Sequence, residues 1–359
     1  MSAGSRRVLW IAAVGAAGLG ALYWSIGYRG ALHSYPGPKQ SEWQRQYWSA
    51  ITRAENADRD GRWDEANRAY GQLVRLRPYD ATIRCNRAAA LAHLGRDHDA
   101  LSELRRAVEF GWADLAALKS EPAFKRLRAA SQFELLLERG TTIAGEPIAL
   151  YAPAASTAES GAPLLIAFHG LGGNPHSFIQ FFKPVADRLG IVVAAPRGIR
   201  RVGAQRAVHA FRWTSPGGRE NDRDLRACKA LVDESIALAK ARANIDEDRI
   251  ILAGYSQGGS VALTLLADAP ERFCGAVVEA TAWAPRLNDM GKSVHHRGSR
   301  VCVIVHELDR MRPVGEKAFR VMASAGINVR LMMVPGTDHE LATDGGARLV
   351  EALRFVLRR

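Results

Sequence analysis

A serine between two glycines follows an apolar segment, in the order Gly254, Tyr255, Ser256, Gln257, Gly258. The apolar segment predicts a strand, and the alanine- and leucine-rich stretch after the motif predicts a helix, so the serine lies on a sharp strand-to-helix turn. Glycine is needed there because a larger side chain would collide with the neighbouring strand or helix. Such a turn presents the Ser256 hydroxyl for nucleophilic attack and directs the backbone N–H of Gln257 toward the oxyanion that forms.

A nucleophilic serine needs a general base and an acid that orients the base, and both candidates come after predicted strands. His339 follows the last predicted strand, and Asp309 follows the strand before it. The chain order serine, aspartate, histidine is the order expected for a nucleophile on this kind of turn. Glu279 and Glu307, also at strand ends, are the alternatives for the acid. Four other histidines compete for the role of base and are interpreted as structural or rim residues: His169, His295, His296 and His306.

A glycine-rich loop, His-Gly-Leu-Gly-Gly-Asn at residues 169–174, follows the first predicted strand of the core. Its backbone N–H groups can face the same point as the N–H of Gln257, because both segments follow strand ends. A tetrahedral intermediate needs two hydrogen bonds aimed at its negative oxygen. We therefore predict that the N–H groups of Leu171 and Gln257 form an oxyanion hole.

Three residues are predicted to border the substrate: His169 and Gly170 of this loop, and Trp213 further along the chain. Trp213 lies in an arginine-rich segment, residues 202–223. That segment suits an anionic or aromatic substrate, or else it is a solvated loop.

Apolar strands and helices alternate over residues 141–359, which we interpret as a catalytic domain that begins near Gly140. Nearly continuous apolar strands separated by helices indicate a mostly parallel sheet covered on both faces, a doubly wound α/β fold. Ligands of such sheets lie at the carboxyl ends of the strands. The serine, the acid, the base and the glycine-rich loop all follow predicted strands, so we expect them to meet at one edge of the sheet.

Residues 42–139 show a helical period, and two segments within them superimpose at an offset of 34 residues that brings Gly61 onto Gly95. Repeated helical hairpins have such a period. Residues 48–112 thus resemble the tetratricopeptide repeat family, and an apolar stretch, 114–137, is predicted to cap them. The resemblance implies an all-α helical-repeat domain that either binds a protein partner or serves as a spacer.

An uncharged run, residues 8–28, stands near the N-terminus behind Arg6 and Arg7. A helix of that length, at about 1.5 Å per residue, crosses a hydrocarbon core of about 30 Å, and aromatic residues stand at both of its ends. Residues 1–30 are therefore predicted to be a transmembrane helix that serves as a membrane anchor or uncleaved signal. The paired arginines predict that the rest of the chain faces the periplasm or the cell exterior.

The composition is that of a globular protein, because 47% hydrophobic and 24% charged residues exclude a disordered chain. The formal net charge of +12 is spread along the whole chain, so nucleic-acid binding is not predicted. The four cysteines stand far apart without metal-ligand spacing, and no metal site is predicted.

Residues 145–359 resemble the α/β-hydrolase family in the serine turn, the glycine-rich loop, the acid and the base. Residues 169–172 and 254–259 look like the phospholipase, carboxylesterase and acyl-thioesterase branch, whereas residues 195–198 and 245–250 are equally similar to feruloyl-esterase and dienelactone-hydrolase relatives. The resemblance implies cleavage of a small-molecule carboxylic ester or thioester through an acyl-serine, without a metal or organic cofactor. Two alternatives stay open: a serine peptidase of the same fold, and a repeat-based adaptor whose hydrolase domain is inactive.

Overall fold

The computed structural model describes residues 41–154, 161–202, 210–214, 222–292, 298–341, 344 and 346–358. These residues form two compact units. The first contains Tyr47–Ala144 and is built from helices, and the second contains residues 41–46 and the described residues from Gly145 onward and is built around a sheet.

The predicted membrane anchor, residues 1–30, lies outside the described residues. Among the residues that are described, no helix combines the length and the apolar character needed to cross a membrane. The two longest helices, Glu42–Arg59 and Asp222–Lys240, both carry many charged side chains, which are costly to transfer into lipid. The prediction of a membrane-anchored chain that faces the periplasm or the cell exterior is corrected accordingly, because the described residues give it no support.

The N-terminal helical region consists of helices that follow one another along the chain. Its helices are α1 (Glu42–Arg59), α2 (Trp63–Leu76), α3 (Ala81–His93), α4 (Asp97–Glu109), α5 (Leu115–Ser120) and α6 (Ser131–Gly145), with short 3₁₀ helices at Pro122–Phe124 and Leu127–Ala129. Gly61 and Gly95 lie in the turns after α1 and α3 with φ of +71° and +76°, a conformation that glycine adopts without steric cost. The helical region is confirmed, whereas its tetratricopeptide character stays a prediction.

Small and aromatic residues share the core of the helical unit. Ala88 and Ala100 are completely buried, so the helices that carry them approach closely. The stretch that we predicted as a cap adds Leu118, Phe124 and Phe133 to the same cluster. This unit therefore has an apolar core of its own.

The second unit contains a mostly parallel sheet. The strands are β1 (Ile148–Tyr151), β2 (Ala162–Phe168), β3 (Val192–Pro196), β4 (Arg200–Arg201), β5 (Phe211–Arg212), β6 (Ile245–Tyr255), β7 (Gly275–Glu279), β8 (Arg300–His306) and β9 (Asn328–Val334). Seven of the described strands form one sheet in the order β1-β3-β2-β6-β7-β8-β9. Within it β1 pairs antiparallel with β3, and the other neighbours pair parallel. Strands β4 and β5 form a separate antiparallel pair, named here the β4–β5 ribbon.

Helices cover both faces of the sheet. They are α7 (Pro175–Phe178), α8 (Lys183–Leu189), α9 (Asp222–Lys240), α10 (Gln257–Asp268), α11 (Arg312–Ser324) and α12 (Ala347–Leu357). Alternate residues of β2 point to opposite faces: Leu164 packs in the cluster that contains α9, α10 and α11, and Leu165 packs with α8 and α12. Every residue of β2 is buried, as expected for a strand covered on both sides. The predicted doubly wound α/β fold is confirmed.

Candidate active site

Ser256 lies between β6 and α10 in a strained backbone conformation. Its φ is +53°, in a region that residues other than glycine rarely adopt. Neighbouring backbone holds the turn, because the Ser256 N–H donates to the carbonyl of Glu279 at 2.9 Å and the Ala282 N–H donates to the carbonyl of Ser256 at 3.0 Å. Strain of this kind persists where the surroundings enforce it, which is common at functional sites.

The glycines of the motif are required by close backbone packing. A Cβ atom on Gly254 would lie 2.2 Å from the carbonyl oxygen of Gly258, and a Cβ on Gly258 would lie 2.0 Å from the carbonyl oxygen of Phe168. Both obstacles are backbone atoms, so no side-chain rotation can relieve the collision. The steric reason that the sequence suggested for these glycines holds in the structure.

We expect Gly258→Ala to destabilise the protein, because the added methyl group forces β2 and α10 apart. Overpacking of this kind costs about 1–3 kcal/mol, which thermal unfolding followed by circular dichroism will detect. Gly145→Ala is the control, because a Cβ at the end of α6 would meet nothing within 4 Å. Equal unfolding temperatures for the two variants would contradict the steric explanation.

His339 and Asp309 form a chain of hydrogen bonds with Ser256. The Nε2 atom of His339 lies 2.9 Å from Oγ of Ser256, and its Nδ1 atom lies 2.9 Å from Oδ2 of Asp309. The other carboxylate oxygen of Asp309 accepts the N–H of Met311 at 2.8 Å, and Asp309 is only 1% exposed. The structure thus brings the predicted nucleophile, base and acid together, because β6, β8 and β9 end at the same edge of the sheet.

Opposing effects set the pKa of His339. Desolvation favours the neutral ring, but the Asp309 carboxylate, through its charge and its hydrogen bond, raises the pKa above the ordinary histidine value. Asp338 and Glu279 act in the same direction with smaller contributions. A base with a raised pKa accepts the serine proton more readily, provided that the solution is alkaline enough to keep the ring neutral.

The alternative acids have other partners. An oxygen of Glu279 lies 3.0 Å from Nε2 of His306, and Glu307 accepts a backbone N–H at 2.7 Å. Among the described residues, the carboxylate in hydrogen-bond contact with His339 is that of Asp309. The geometry therefore favours Asp309 over both glutamates.

A second carboxylate–imidazole pair, Glu279 and His306, supports the site and was not predicted from the sequence. His306 is completely buried. Its Nε2 atom is hydrogen-bonded to the Glu279 carboxylate, and its Nδ1 atom lies 2.8 Å from the hydroxyl of Thr337. Thr337 stands two residues before His339 in the chain, and the backbone of Glu279 holds Ser256. The pair therefore connects the turn of the nucleophile to the loop of the base. Its members are distant in sequence, so no local motif signals it.

The N–H groups of Leu171 and Gln257 are available to a ligand. Neither donates a hydrogen bond within the part of the chain that the structure describes, whereas the N–H of Gly172 donates to the carbonyl of Phe211 at 2.8 Å. Gln257 is the first residue of α10, and the first N–H groups of a helix have no partner in the helix. Such groups attract negative charge, which is the property that the predicted oxyanion hole requires.

Gly170, one of the three residues predicted to border the substrate, lies against the nucleophile, since a Cβ on it would be 3.5 Å from Cβ of Ser256. His169 and Trp213 are each 1% exposed. Nε2 of His169 accepts the N–H of Gly198 at 3.1 Å, and the indole N–H of Trp213 donates to the carbonyl of His169 at 2.7 Å. Burial lowers the pKa of His169 to about 4, so its ring stays neutral. The predicted substrate contacts of His169 and Trp213 are therefore corrected: both side chains support the glycine-rich loop from inside.

Comparison with known proteins gives a family for the sheet-containing unit. A model of the phospholipase/carboxylesterase family matches residues 151–355, more than half of the chain. A protein of Nocardia uniformis subsp. tsuyamanensis, NocK, whose name marks it as a provisional esterase, is 29% identical over 125 residues, 34% of this chain and 34% of that protein. The match therefore spans about a third of that relative's length. The helical region lies outside the matched residues, and neither the tetratricopeptide resemblance nor a protein partner gains support.

Solved structures of esterases are also similar to this chain. Esterase PE8 is 22% identical and covers 58% of this chain and 98% of its own, with a TM-score of 0.47. An S-formylglutathione hydrolase from Agrobacterium tumefaciens is 18% identical and covers 58% of this chain and 89% of its own, with a TM-score of 0.45.

Proposed function

Because the chain belongs to the phospholipase/carboxylesterase family of α/β-hydrolases, we propose that it cleaves a carboxylic ester or thioester through an acyl-enzyme on Ser256. Residues 151–355 form a hydrolase of the carboxylesterase type. One observation carries the finer proposal: His339 contacts the Ser256 hydroxyl and the Asp309 carboxylate at the same time, at 2.9 Å in each case. A nucleophile, a base and an orienting acid in this contact support acyl transfer.

In the first half of the proposed reaction, Nε2 of His339 takes the hydroxyl proton as Oγ of Ser256 attacks the carbonyl carbon. The negative oxygen of the tetrahedral intermediate accepts hydrogen bonds from the N–H groups of Leu171 and Gln257, which are fixed before the substrate arrives. Asp309 stabilises the imidazolium that forms and keeps Nε2 directed at the serine. His339 then gives the proton to the leaving oxygen or sulfur, and the acyl group stays on Ser256.

In the second half, water takes the place of the leaving group. His339 removes a proton from the water, the hydroxide attacks the acyl carbon, and the same oxyanion donors hold the second intermediate. Collapse of this intermediate releases the acid and returns the proton to Oγ of Ser256. The protons and electron pairs balance over the two halves without any further reactant.

The full-length protein is expected to hydrolyse p-nitrophenyl esters in a series of increasing acyl length. Established enzymes reach kcat/KM of roughly 10⁴ M⁻¹ s⁻¹ or more on good substrates, and the acyl length with the highest value defines the preferred chain. An acyl thioester of that chain, assayed by thiol release, tests the thioester activity. Labelling of the protein by a fluorophosphonate should accompany turnover, because the probe reacts with an activated serine.

The p-nitroanilide of the preferred acyl group serves as the matched amide. A serine esterase should cleave it far more slowly than the ester, whereas comparable rates would favour the peptidase alternative. A protein that neither hydrolyses any ester of the series nor reacts with the fluorophosphonate would contradict the proposed function and favour the inactive adaptor.

A further inference from the structure

Hydrogen bonds connect the β4–β5 ribbon and the residues just after it to the two segments of the proposed oxyanion hole, the glycine-rich loop and Gln257. The N–H of Gly172 donates to the carbonyl of Phe211, and the N–H of Phe211 donates to the carbonyl of Gly173 at 3.0 Å. The ribbon thereby extends the glycine-rich loop. Two residues further on, the N–H of Trp213 donates to Oε1 of Gln257 at 3.0 Å. The ribbon therefore lies next to the glycine-rich loop and the start of α10, the two segments that carry the proposed oxyanion donors.

Four arginines gather on and beside this ribbon: Arg197, Arg200, Arg201 and Arg212. Arg200 is paired with Asp224, with Nη2 and Oδ1 3.0 Å apart. Within the described residues, the guanidinium groups of the other three arginines have no carboxylate partner and no hydrogen bond, and Nε of Arg212 is buried without an acceptor. The positive charge in this region thus exceeds the negative charge that the described chain supplies.

Arg197 and Arg201 are held against the same aromatic ring. Their Cζ atoms lie 5.3 and 5.9 Å from the centre of the Phe211 ring, which is buried. Stacking orients a planar guanidinium and leaves the N–H donors at its edge free to bind. Burial, and then the nearby charge of Arg201, lower the pKa of Arg197, so the two cations are close enough to repel each other.

Two oriented cations that repel each other and have unused donors are poised to bind an anion, because the anion removes the repulsion and accepts the hydrogen bonds. We propose that Arg197 and Arg201 form an anion subsite for a carboxylate or phosphate group of the ester substrate. This inference rests on the proposed esterase function and adds a substrate class, anionic esters. A surface arginine without a binding role would extend its side chain into water, whereas Arg197 is half-buried against Phe211.

Two pairs of esters test the subsite on the full-length protein. p-Nitrophenyl hemiadipate and p-nitrophenyl hexanoate differ by a carboxylate at the end of the acyl chain, and 4-acetoxybenzoate and its methyl ester differ by a carboxylate on the leaving group. We expect Arg197→Met and Arg201→Met each to lower the charged-to-neutral ratio of kcat/KM by about 10-fold in at least one pair, since hydrogen bonds to charged groups contribute factors of this size. The intrinsic reactivity of each ester is the same for every variant, so the change in the ratio isolates recognition of the charge.

Salt and competing anions extend the test. Added salt should lower the charged-to-neutral ratio of the wild type, because it screens partly exposed charges. Succinate and inorganic phosphate, used as inhibitors of neutral-ester hydrolysis, distinguish a carboxylate from a phosphate, since the stronger inhibitor identifies the preferred group. Inhibition should weaken in both arginine variants, and equal inhibition of wild type and variants would contradict the subsite.

Arg188→Met is the matched control. Arg188 is an exposed arginine in the last turn of α8, and α8 packs on the other face of the sheet from the cluster that contains Trp213. Its charged-to-neutral ratio should equal that of the wild type. Unchanged ratios in Arg197→Met and Arg201→Met, with neutral esters still hydrolysed, would overturn the subsite and leave the esterase proposal intact. Failure of the wild type to hydrolyse any of the four esters would instead contradict the proposed function.

Discussion

Ser256→Ala is expected to lower the turnover of an activated ester by about 10⁶-fold, because loss of the nucleophile removes the acyl-enzyme route. The fold should survive the change. The serine side chain is small, and its hydroxyl contacts His339 at 2.9 Å without bridging two core elements. The residual rate comes from the oxyanion donors and substrate binding, which the substitution leaves in place.

Hydrolysis of the preferred p-nitrophenyl ester and labelling by a fluorophosphonate measure this effect, and the unfolding temperature reports on the fold. Ser260→Ala is the matched control, since Ser260 lies one turn further along α10 and its hydroxyl donates to the carbonyl of Trp283 at 2.9 Å. It should retain activity and labelling. Near-normal turnover and labelling in Ser256→Ala would show that the nucleophile lies elsewhere, and an equal loss in both variants would indicate disruption of α10.

The serine turn could be predicted from sequence because its signals are local. All the residues that define the turn lie within about a dozen positions of Ser256. They are the apolar strand before it, the glycines that have no room for a side chain and the helix after it, and their succession explains the close packing around Gly258. The position of His339 and Asp309 required one further step, the rule that parallel strands present their carboxyl ends at one edge. Local pattern and topology were together sufficient for these contacts.

The direction in which a side chain points could not be predicted from local pattern and topology. Trp213 and His169 belong to segments that border the site, yet both side chains turn inward and bond to the backbone of the core. The contact between Glu279 and His306 joins strand ends that are 27 residues apart, and no spacing rule specifies such a contact. Proximity to a strand end therefore predicted which segments meet, but not which side chains face the ligand.

Hydrogen bonds between residues far apart in sequence could not be predicted either. The hydroxyl of Ser41 donates to Oδ2 of Asp338 at 2.9 Å across 297 residues of sequence. Burial raises the pKa of Asp338, and the Ser41 hydrogen bond partly offsets this effect. Asp338 stands next to His339 in the chain, yet its carboxylate bonds to Ser41 and that of Asp309 bonds to the imidazole. The sequence alone offered no means of placing Ser41 beside this loop.

Asp309→Asn is expected to lower turnover by about 10⁴-fold, because an amide at this position favours the wrong tautomer of His339 and no longer stabilises the imidazolium. Asp309 is 1% exposed and both of its carboxylate oxygens are in use, so neither water nor a neighbouring carboxylate can easily replace it. Initial rates with the preferred p-nitrophenyl ester, together with the unfolding temperature, measure the effect and separate it from loss of the fold.

Glu279→Gln is the comparison that makes the Asp309 result specific. Both residues pair with an imidazole, but the partner of Glu279 is His306 and that of Asp309 is the proposed base. We expect a far smaller loss of turnover in Glu279→Gln, and the opposite ranking would move the acid to β7. The pH profile gives a second measure. Activity requires neutral His339 and rises with pH through its pKa, which Asp309 raises, so the acid limb of kcat/KM should move to lower pH in Asp309→Asn. An acid limb that stays in place would show that the titrating base is not the histidine paired with Asp309.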